Sequence, residues 1–299
     1  MCCEAEKRSV CEYETANLNA KTNPNHDYGA PQALEVRDLR FAYNNRPVLD
    51  GFNFRAAKGE LVGLVGPNGT GKTTLLRLLS GVLRPLGGSV MILGEETRRM
   101  PTSERARLVS VVPQDPRTPM GLTAFDLVLL GRNPHLGLLQ WEGRRDAEIA
   151  MHSMALTGTD DLAQRRFENL SGGEKQRVLI ALALAQQAPV MLLDEPTSNL
   201  DIAHQPAVME LLADLKREAK GAVVVAMHDL TLAAQFCDRI VIIHKGRNFA
   251  EGPPAKVLTE QNIEAVYGTK VRVMSHPDTG MPVVVSARSG GVGSAKGDA

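Results

Sequence analysis

The octapeptide Gly66-Pro67-Asn68-Gly69-Thr70-Gly71-Lys72-Thr73 restricts this chain more than anything else in it. It follows the apolar run Leu61-Val62-Gly63-Leu64-Val65 and leads into Thr74-Leu75-Leu76-Arg77-Leu78-Leu79, so a buried strand passes through a glycine turn into a helix. That is the context a phosphate-binding P-loop requires. The glycines let backbone N–H groups approach phosphate oxygens, the helix N-terminus adds partial positive charge, and Lys72 adds a full one. Thr73 carries a hydroxyl placed for Mg²⁺, and Thr74 one placed for a further phosphate oxygen. An ordinary glycine-rich turn needs neither the strand before nor the helix after.

The rest of the chain supports that beginning. Val190-Met191-Leu192-Leu193, residues 222–226 and residues 240–243 read as further buried strands, and Val208, Met209, Leu211, Leu212 and Leu215 repeat at helical spacing. Strands alternating with helices imply a largely parallel sheet covered on both faces. Residues 116–170 differ: they hold no convincing strand, and Phe125, Val128, Leu129, Ile149, Met154 and Leu156 suggest helices. We read them as a helical subdomain inserted into the α/β core. At 299 residues the chain suits about two domains, or one large domain with such an insert.

Composition narrows the function classes. With 34 Lys and Arg against 34 Asp and Glu, the net charge is +0, which argues against a general nucleic-acid binder. Aromatics at 4%, with one Trp, disfavour a stacking platform for single strands. No apolar run approaches the roughly 18 residues of a membrane span, and the N-terminus lacks a signal peptide's apolar stretch. The expectation is a soluble, cytoplasmic chain that borrows any membrane role from a partner. Residues 1–32 read as a disordered leader and 287–299 as a flexible tail, flanking a domain at 33–286. Cys2, Cys3 and Cys11 lie in the leader; a metal or redox site there lacks the further ligands that would complete it, and an unstructured tail is the simpler reading.

Two more segments carry chemistry. Leu192-Leu193-Asp194-Glu195-Pro196 ends an apolar strand in two carboxylates, the arrangement that holds Mg²⁺ through the first and activates water with the second. Leu170-Ser171-Gly172-Gly173-Glu174-Lys175-Gln176 opens a long apolar helix with a Ser and two glycines, which makes a second anion-binding terminus. Since the P-loop already cradles the triphosphate, the economical explanation is that this terminus caps the γ-phosphate held by another copy. A plain capped helix start accounts for Ser171 but not for both glycines.

With these residues in view, the sequence resembles the ATP-binding subunits of ABC transporters, from about residue 34 to residue 285. The resemblance implies a P-loop ATPase core with an N-terminal antiparallel β portion. It implies that Tyr43 stacks on adenine, that Gln114 in Val112-Pro113-Gln114 touches Mg²⁺ or the attacking water, and that Ser198-Asn199-Leu200-Asp201 crosses a dimer interface. His228 matches the histidine that contacts the γ-phosphate, and Glu195 the general base. Gly172, Gly173 and Gln176 fall to the second terminus. The implied cofactors are ATP and Mg²⁺. The implied partners are a second copy in the ATP-bound state, a polytopic permease at the cytoplasmic face of the membrane and, indirectly, a substrate-binding protein. Leu130-Gly131-Arg132-Asn133-Pro134-His135, Leu200-Asp201-Ile202-Ala203-His204-Gln205 and His276-Pro277-Asp278-Thr279-Gly280-Met281-Pro282 look like the subgroup serving iron-siderophore, haem and cobalamin importers. Met120, Leu122 and Phe125 either line a groove for a permease helix or pack the subdomain. The other function class is a soluble ABC ATPase without a permease, acting in cluster assembly, repair or translation. Against it, neither a second cassette nor a long coiled-coil insertion is visible.

Overall fold

Two strands, β1 (Gln32–Tyr43) and β2 (Arg46–Ala57), pair antiparallel through a turn at Asn44 and Asn45, both with positive φ. Asn tolerates that backbone better than other non-glycine residues, and two such residues in succession match the twist of a hairpin. Strands β3 (Leu61–Val65), β4 (Gly87–Ile92) and β5 (Glu95–Glu96) follow, with β4 antiparallel to β1, giving a four-stranded sheet in the order β2-β1-β4-β5. The computed structural model describes residues 32–287 except 117, 138, 199, 219 and 220. The expected leader, its cysteines, nearly all of the tail, and Asn199 lie outside the described residues.

The second sheet holds β3 together with β6 (Val109–Val112), β7 (Val190–Asp194), β8 (Ala222–Ala226), β9 (Arg239–His244) and β10 (Arg247–Gly252). Its order is β10-β9-β3-β8-β7-β6, parallel throughout except for β10 against β9. Every residue of β3, β7 and β8 is buried, because both faces are covered. Alternation divides those residues between two cores. Val62, Leu64, Leu192 and Val224 face the antiparallel sheet and the helix α1 (Lys72–Leu79); Leu61, Val65, Leu193 and Val225 face the remaining helices. At about 1.5–3 kcal/mol for each large apolar side chain removed from water, these two layers are a large part of what holds the sheet between them.

Helix α2 (Thr102–Leu108) leads into β6. The 116–170 segment contains α3 (Ala124–Leu129), a 3-10 helix at Leu130–His135 and α4 (Arg144–Leu156); its sole strand-like feature among the described residues is one bridge between Thr123 and Arg166. The start of α3 is fixed by a capping box between Thr123 and Asp126. Helix α5 (Gly172–Ala185) packs on both α3 and α4, so the helical layer continues past residue 170. Helices α6 (Gln205–Glu218), α7 (Leu230–Phe236), α8 (Pro254–Val257) and α9 (Glu260–Tyr267) and the hairpin β11 (Val271–Ser275)–β12 (Pro282–Ser286) complete the chain.

Candidate functional site

Because β3, β6, β7 and β8 are parallel, everything that immediately follows them meets at one edge of the sheet, where α/β proteins bind ligands. Gly66 follows β3, Gln114 lies just past β6, Asp194 ends β7 with Glu195 next, and His228 follows β8. Topology thus gathers the residues that the sequence scatters over a hundred and more positions.

The P-loop is shaped by two glycines that accept no other residue. Gly66 has φ 154, and a Cβ there would lie 2.4 Å from the Ile243 carbonyl oxygen; Gly71, which caps α1, has φ 103 and lies against Val48. Pro67, Asn68, Gly69 and Thr70 form the turn between them, and the Thr70 hydroxyl donates to the Pro67 carbonyl at 2.9 Å. Lys72 folds back into the loop, donating to the carbonyls of Gly66 (2.7 Å) and Pro67 (3.2 Å). Burial pulls its pKa below the usual lysine value, against the opposing pull of Glu195 and Asp194. Thr74 sits in the first turn of α1 beside Thr73.

Thr73 donates to Asp194 Oδ1 at 3.2 Å. Asp194 is only 7% exposed, and burial raises its pKa, with the Thr73 bond partly opposing. Among the described residues no group of three or more His, Cys, Asp or Glu side chains converges on a metal position. One carboxylate and one hydroxyl beside a phosphate-binding loop are the donor set of a cation that keeps waters and phosphate oxygens in its shell, so the residues fit Mg²⁺.

Glu195 is the meeting point. Gln114 donates to its Oε2 at 2.8 Å, and His228 Nε2 contacts its Oε1. Its backbone stands in the left-handed region, φ 51, fixed by the bond from its N–H to the Ala226 carbonyl at 3.0 Å. A non-glycine residue there is strained by about 1–3 kcal/mol, and such strain persists where the surroundings over-determine it.

Ser171 caps α5: its hydroxyl accepts from the Glu174 N–H (3.3 Å) while the Glu174 carboxylate accepts from the Ser171 N–H (2.8 Å). The cap is therefore real, and the Ser171 N–H and then its hydroxyl, both bonding the Glu174 carboxylate, hold that group below the usual carboxylate range. The N–H groups of Gly172 and Gly173 occupy the first helical positions, which have no intrahelical partner. Gly172 and Gln176 line a cavity of about 360 Å³ together with Gln114 and Glu195, and the Gln176 Nε2 is buried without a partner. The P-loop residues do not line that cavity. Tyr43, at the end of β1, is 42% exposed and held edge-on by Phe41, ring centroids 4.8 Å apart.

Two features were not legible beforehand. The Tyr267 hydroxyl is buried beside the Gly66 N–H, outside hydrogen-bonding geometry, and burial pushes its pKa up to about 12. The His204 ring packs on Gly173, where an added Cβ would stand 3.7 Å from it. Of the apolar trio in the 116–170 segment, Leu122 and Phe125 pack against the core while Met120 is 90% exposed.

The family described as ABC transporter matches residues 49–198. The achromobactin transport ATP-binding protein CbrD of Dickeya dadantii (strain 3937) is 38% identical over 253 residues, 85% of this chain and 94% of that protein. The hemin import ATP-binding protein HmuV of Gloeobacter violaceus (strain ATCC 29082 / PCC 7421) is 42% identical over 266 residues, 87% of this chain and 96% of the relative. A solved structure described as an inward-facing metal-chelate type ABC transporter matches with TM-score 0.76 and 30% identity, covering 86% of this chain and 98% of its own.

Proposed function

The chain belongs to the ABC transporter family as an ATP-binding subunit, and from that premise we propose that it hydrolyses ATP between two copies of itself to drive import of a metal chelate through a separate permease. The cargo class is iron-siderophore, haem or cobalamin. The observation that carries the catalytic part is the convergence of Gln114 and His228 on Glu195, one residue beyond Asp194.

The chemistry follows from the positions. The P-loop N–H groups and Lys72 hold the phosphates, and Tyr43 offers its ring to the adenine. Thr73 and Asp194, with the Gln114 amide oxygen beside them, would hold Mg²⁺, which would supply charge neutralisation to the phosphates. Water oxygen attacks the γ-phosphorus, the bond to the bridging oxygen breaks, and Glu195 takes the water's proton. His228 and Gln114 orient Glu195 and the γ-phosphate. Ser171, Gly172, Gly173 and Gln176 of the second copy close the site from the other side, which makes hydrolysis depend on dimerisation. The ATPase domain spans 33–286 with its helical insert at 116–170.

Among the described residues no helix is long and apolar enough to cross a membrane. The work of hydrolysis then passes through a surface contact at the membrane's cytoplasmic face, with a substrate-binding protein acting on the far side of the permease. Met120, exposed beside the Gln114 segment, is the residue we assign to that contact.

Glu195→Gln tests the catalytic reading. It keeps ATP binding, loses hydrolysis by at least about 100-fold because an amide accepts no proton, and accumulates as an ATP-bound dimer in light scattering. A variant that binds ATP yet stays monomeric overturns the two-copy site. Vesicles holding this chain and its natural permease test the cargo: uptake of neither iron chelates nor corrinoids removes the substrate class.

A further inference from the structure

The segment Leu130–His135, legible in the sequence only as a mark of one importer subgroup, has a physical task. Its 3-10 helix is lodged where α5 ends and β6 begins. Gly131 lies so close to α5 that a Cβ would stand 2.4 Å from the Leu182 carbonyl oxygen, so only glycine allows the contact. Arg132, 5% exposed, donates from Nη1 to the Ala185 carbonyl (2.6 Å) and from Nε to Asp146 Oδ1 (3.0 Å), which joins the end of α5 to the start of α4. His135 Nε2 lies 2.8 Å from the Gln186 carbonyl oxygen; facing an acceptor, that nitrogen carries the proton. The Gln186 side chain donates in turn to the Val109 carbonyl at 2.7 Å, the first residue of β6.

The last carbonyls of any helix lack partners within it, and water would satisfy them on an open surface. Here the buried Arg132 and the half-buried His135 satisfy them, and the Gln186 side chain ties this end to the strand that leads to Gln114. The other end of α5 is different: Ser171 and Gly172 are exposed. Fourteen residues at 1.5 Å each make α5 a lever about 20 Å long. A tilt of about 5° at the tied end displaces the free end by roughly 2 Å, more than a hydrogen bond to a phosphate tolerates.

We infer that Arg132 and His135 are positioning residues that set the angle of α5, and thereby where Ser171–Gly173 meet the nucleotide of a second copy. This rests on the two-copy reading above. Neither side chain touches the P-loop of its own chain, so single-chain ATP binding does not depend on them.

The test compares His135→Ala, Gln186→Ala and His135→Gln, the last able to donate to the same carbonyl, in the full-length chain. In the Glu195→Gln background, the Ala variants bind ATP within about twofold of the parent but need about tenfold more protein to dimerise, in proportion to the large losses that small misplacements cause. With Glu195 intact, kcat falls about tenfold while the KM for ATP changes little, and His135→Gln restores both readouts. Variants that lose melting temperature yet dimerise and turn over normally where folded overturn the inference, leaving a scaffold role. Variants whose ATP affinity falls with kcat unchanged overturn it too, since the joint would then act on the P-loop. If Glu195→Gln with the joint intact does not dimerise in ATP, the two-copy reading itself fails and takes the inference with it. Dimerisation unaffected by the joint defeats the inference alone.

Discussion

At the edge of the parallel sheet where β3 and β9 begin, Arg239 is buried yet fully matched. It forms a two-pronged bond to Glu60 (2.6 and 3.0 Å), meets Glu251 and the Arg55 carbonyl, and lies 5.8 Å from the centre of the Phe54 ring. Next to it Asp238 accepts from the Leu61 N–H and pairs with Lys216. Burial opposes the Arg239 charge, but Glu60 and Glu251 outweigh it and hold the pKa above the usual value. At the opposite edge, where β3, β7 and β8 end, Lys72 and Asp194 are buried with their charges disfavoured, and Glu195 stands in strained backbone. Both edges desolvate charge, and only one compensates it within the fold. A buried charge left short of partners is stabilised by whatever brings the opposite charge, which here means phosphate and metal. The first edge is built for stability and the second for a ligand.

That contrast predicts opposite failures. His228→Ala, at the strand-end edge, is expected to lower kcat by about 100-fold or more, with ATP affinity changed no more than threefold, since its contact matters most as charge develops on the transferring phosphoryl group. Steady-state kinetics beside equilibrium nucleotide titration separates the two quantities. If affinity falls and saturated turnover does not, His228 is a binding residue and the edges are less distinct than the geometry implies.

Arg239→Ala attacks the other edge. Removing one partner of a buried, bonded pair strands Glu60 and Glu251, a change that costs about 3–5 kcal/mol of stability. Chemical denaturation reads that loss directly. At a temperature where the variant remains folded, its KM for ATP and its kcat stay within about twofold of the parent, because no site residue contacts Arg239. A catalytic defect without a stability defect would reverse the assignment of the two edges.

The sequence announces the two edges unequally. Gly66–Thr74, Asp194-Glu195 and Ser171–Gly173 were legible because phosphate chemistry fixes residue types within a few consecutive positions. Gln114 and His228 came from family resemblance, and their convergence on Glu195 follows from parallel strand order, which local patterns do not encode. Arg239, Glu60 and Glu251 gave no signal at all, since charged residues near strand ends normally read as solvated. The Leu130–His135 motif was visible as a string, but its task depends on the far end of α5. Ser171 is the cap that a plain helix start requires, and the two glycines that follow it are what that plain reading leaves unexplained. The Tyr267 hydroxyl reaches Gly66 from the C-terminal helix, a contact that no spacing rule connects to the P-loop.

The smallest and most discriminating change is Asp194→Asn. Burial raises the Asp194 pKa above its ordinary 3.8, so the metal-free fold disfavours the carboxylate relative to the unfolded chain. Folding then takes up a proton, and stability falls as pH rises from about 3.8 through the raised folded value, levelling off above it. Asn is neutral at every pH and keeps an oxygen to accept from Thr73. The variant is therefore expected to melt a few degrees above the parent at neutral pH in chelator, with the gap closing as pH falls below the carboxylate range. Adding Mg²⁺ and ATP inverts the order: the parent gains stability from the bound ligand, and the variant, lacking the metal's carboxylate, gains less and hydrolyses little. Melting curves in chelator and in Mg-ATP across the pH range measure both halves. If Asp194→Asn melts below the parent without metal, the carboxylate contributes to the fold, and the strand-end edge is not held at the expense of stability for its ligand.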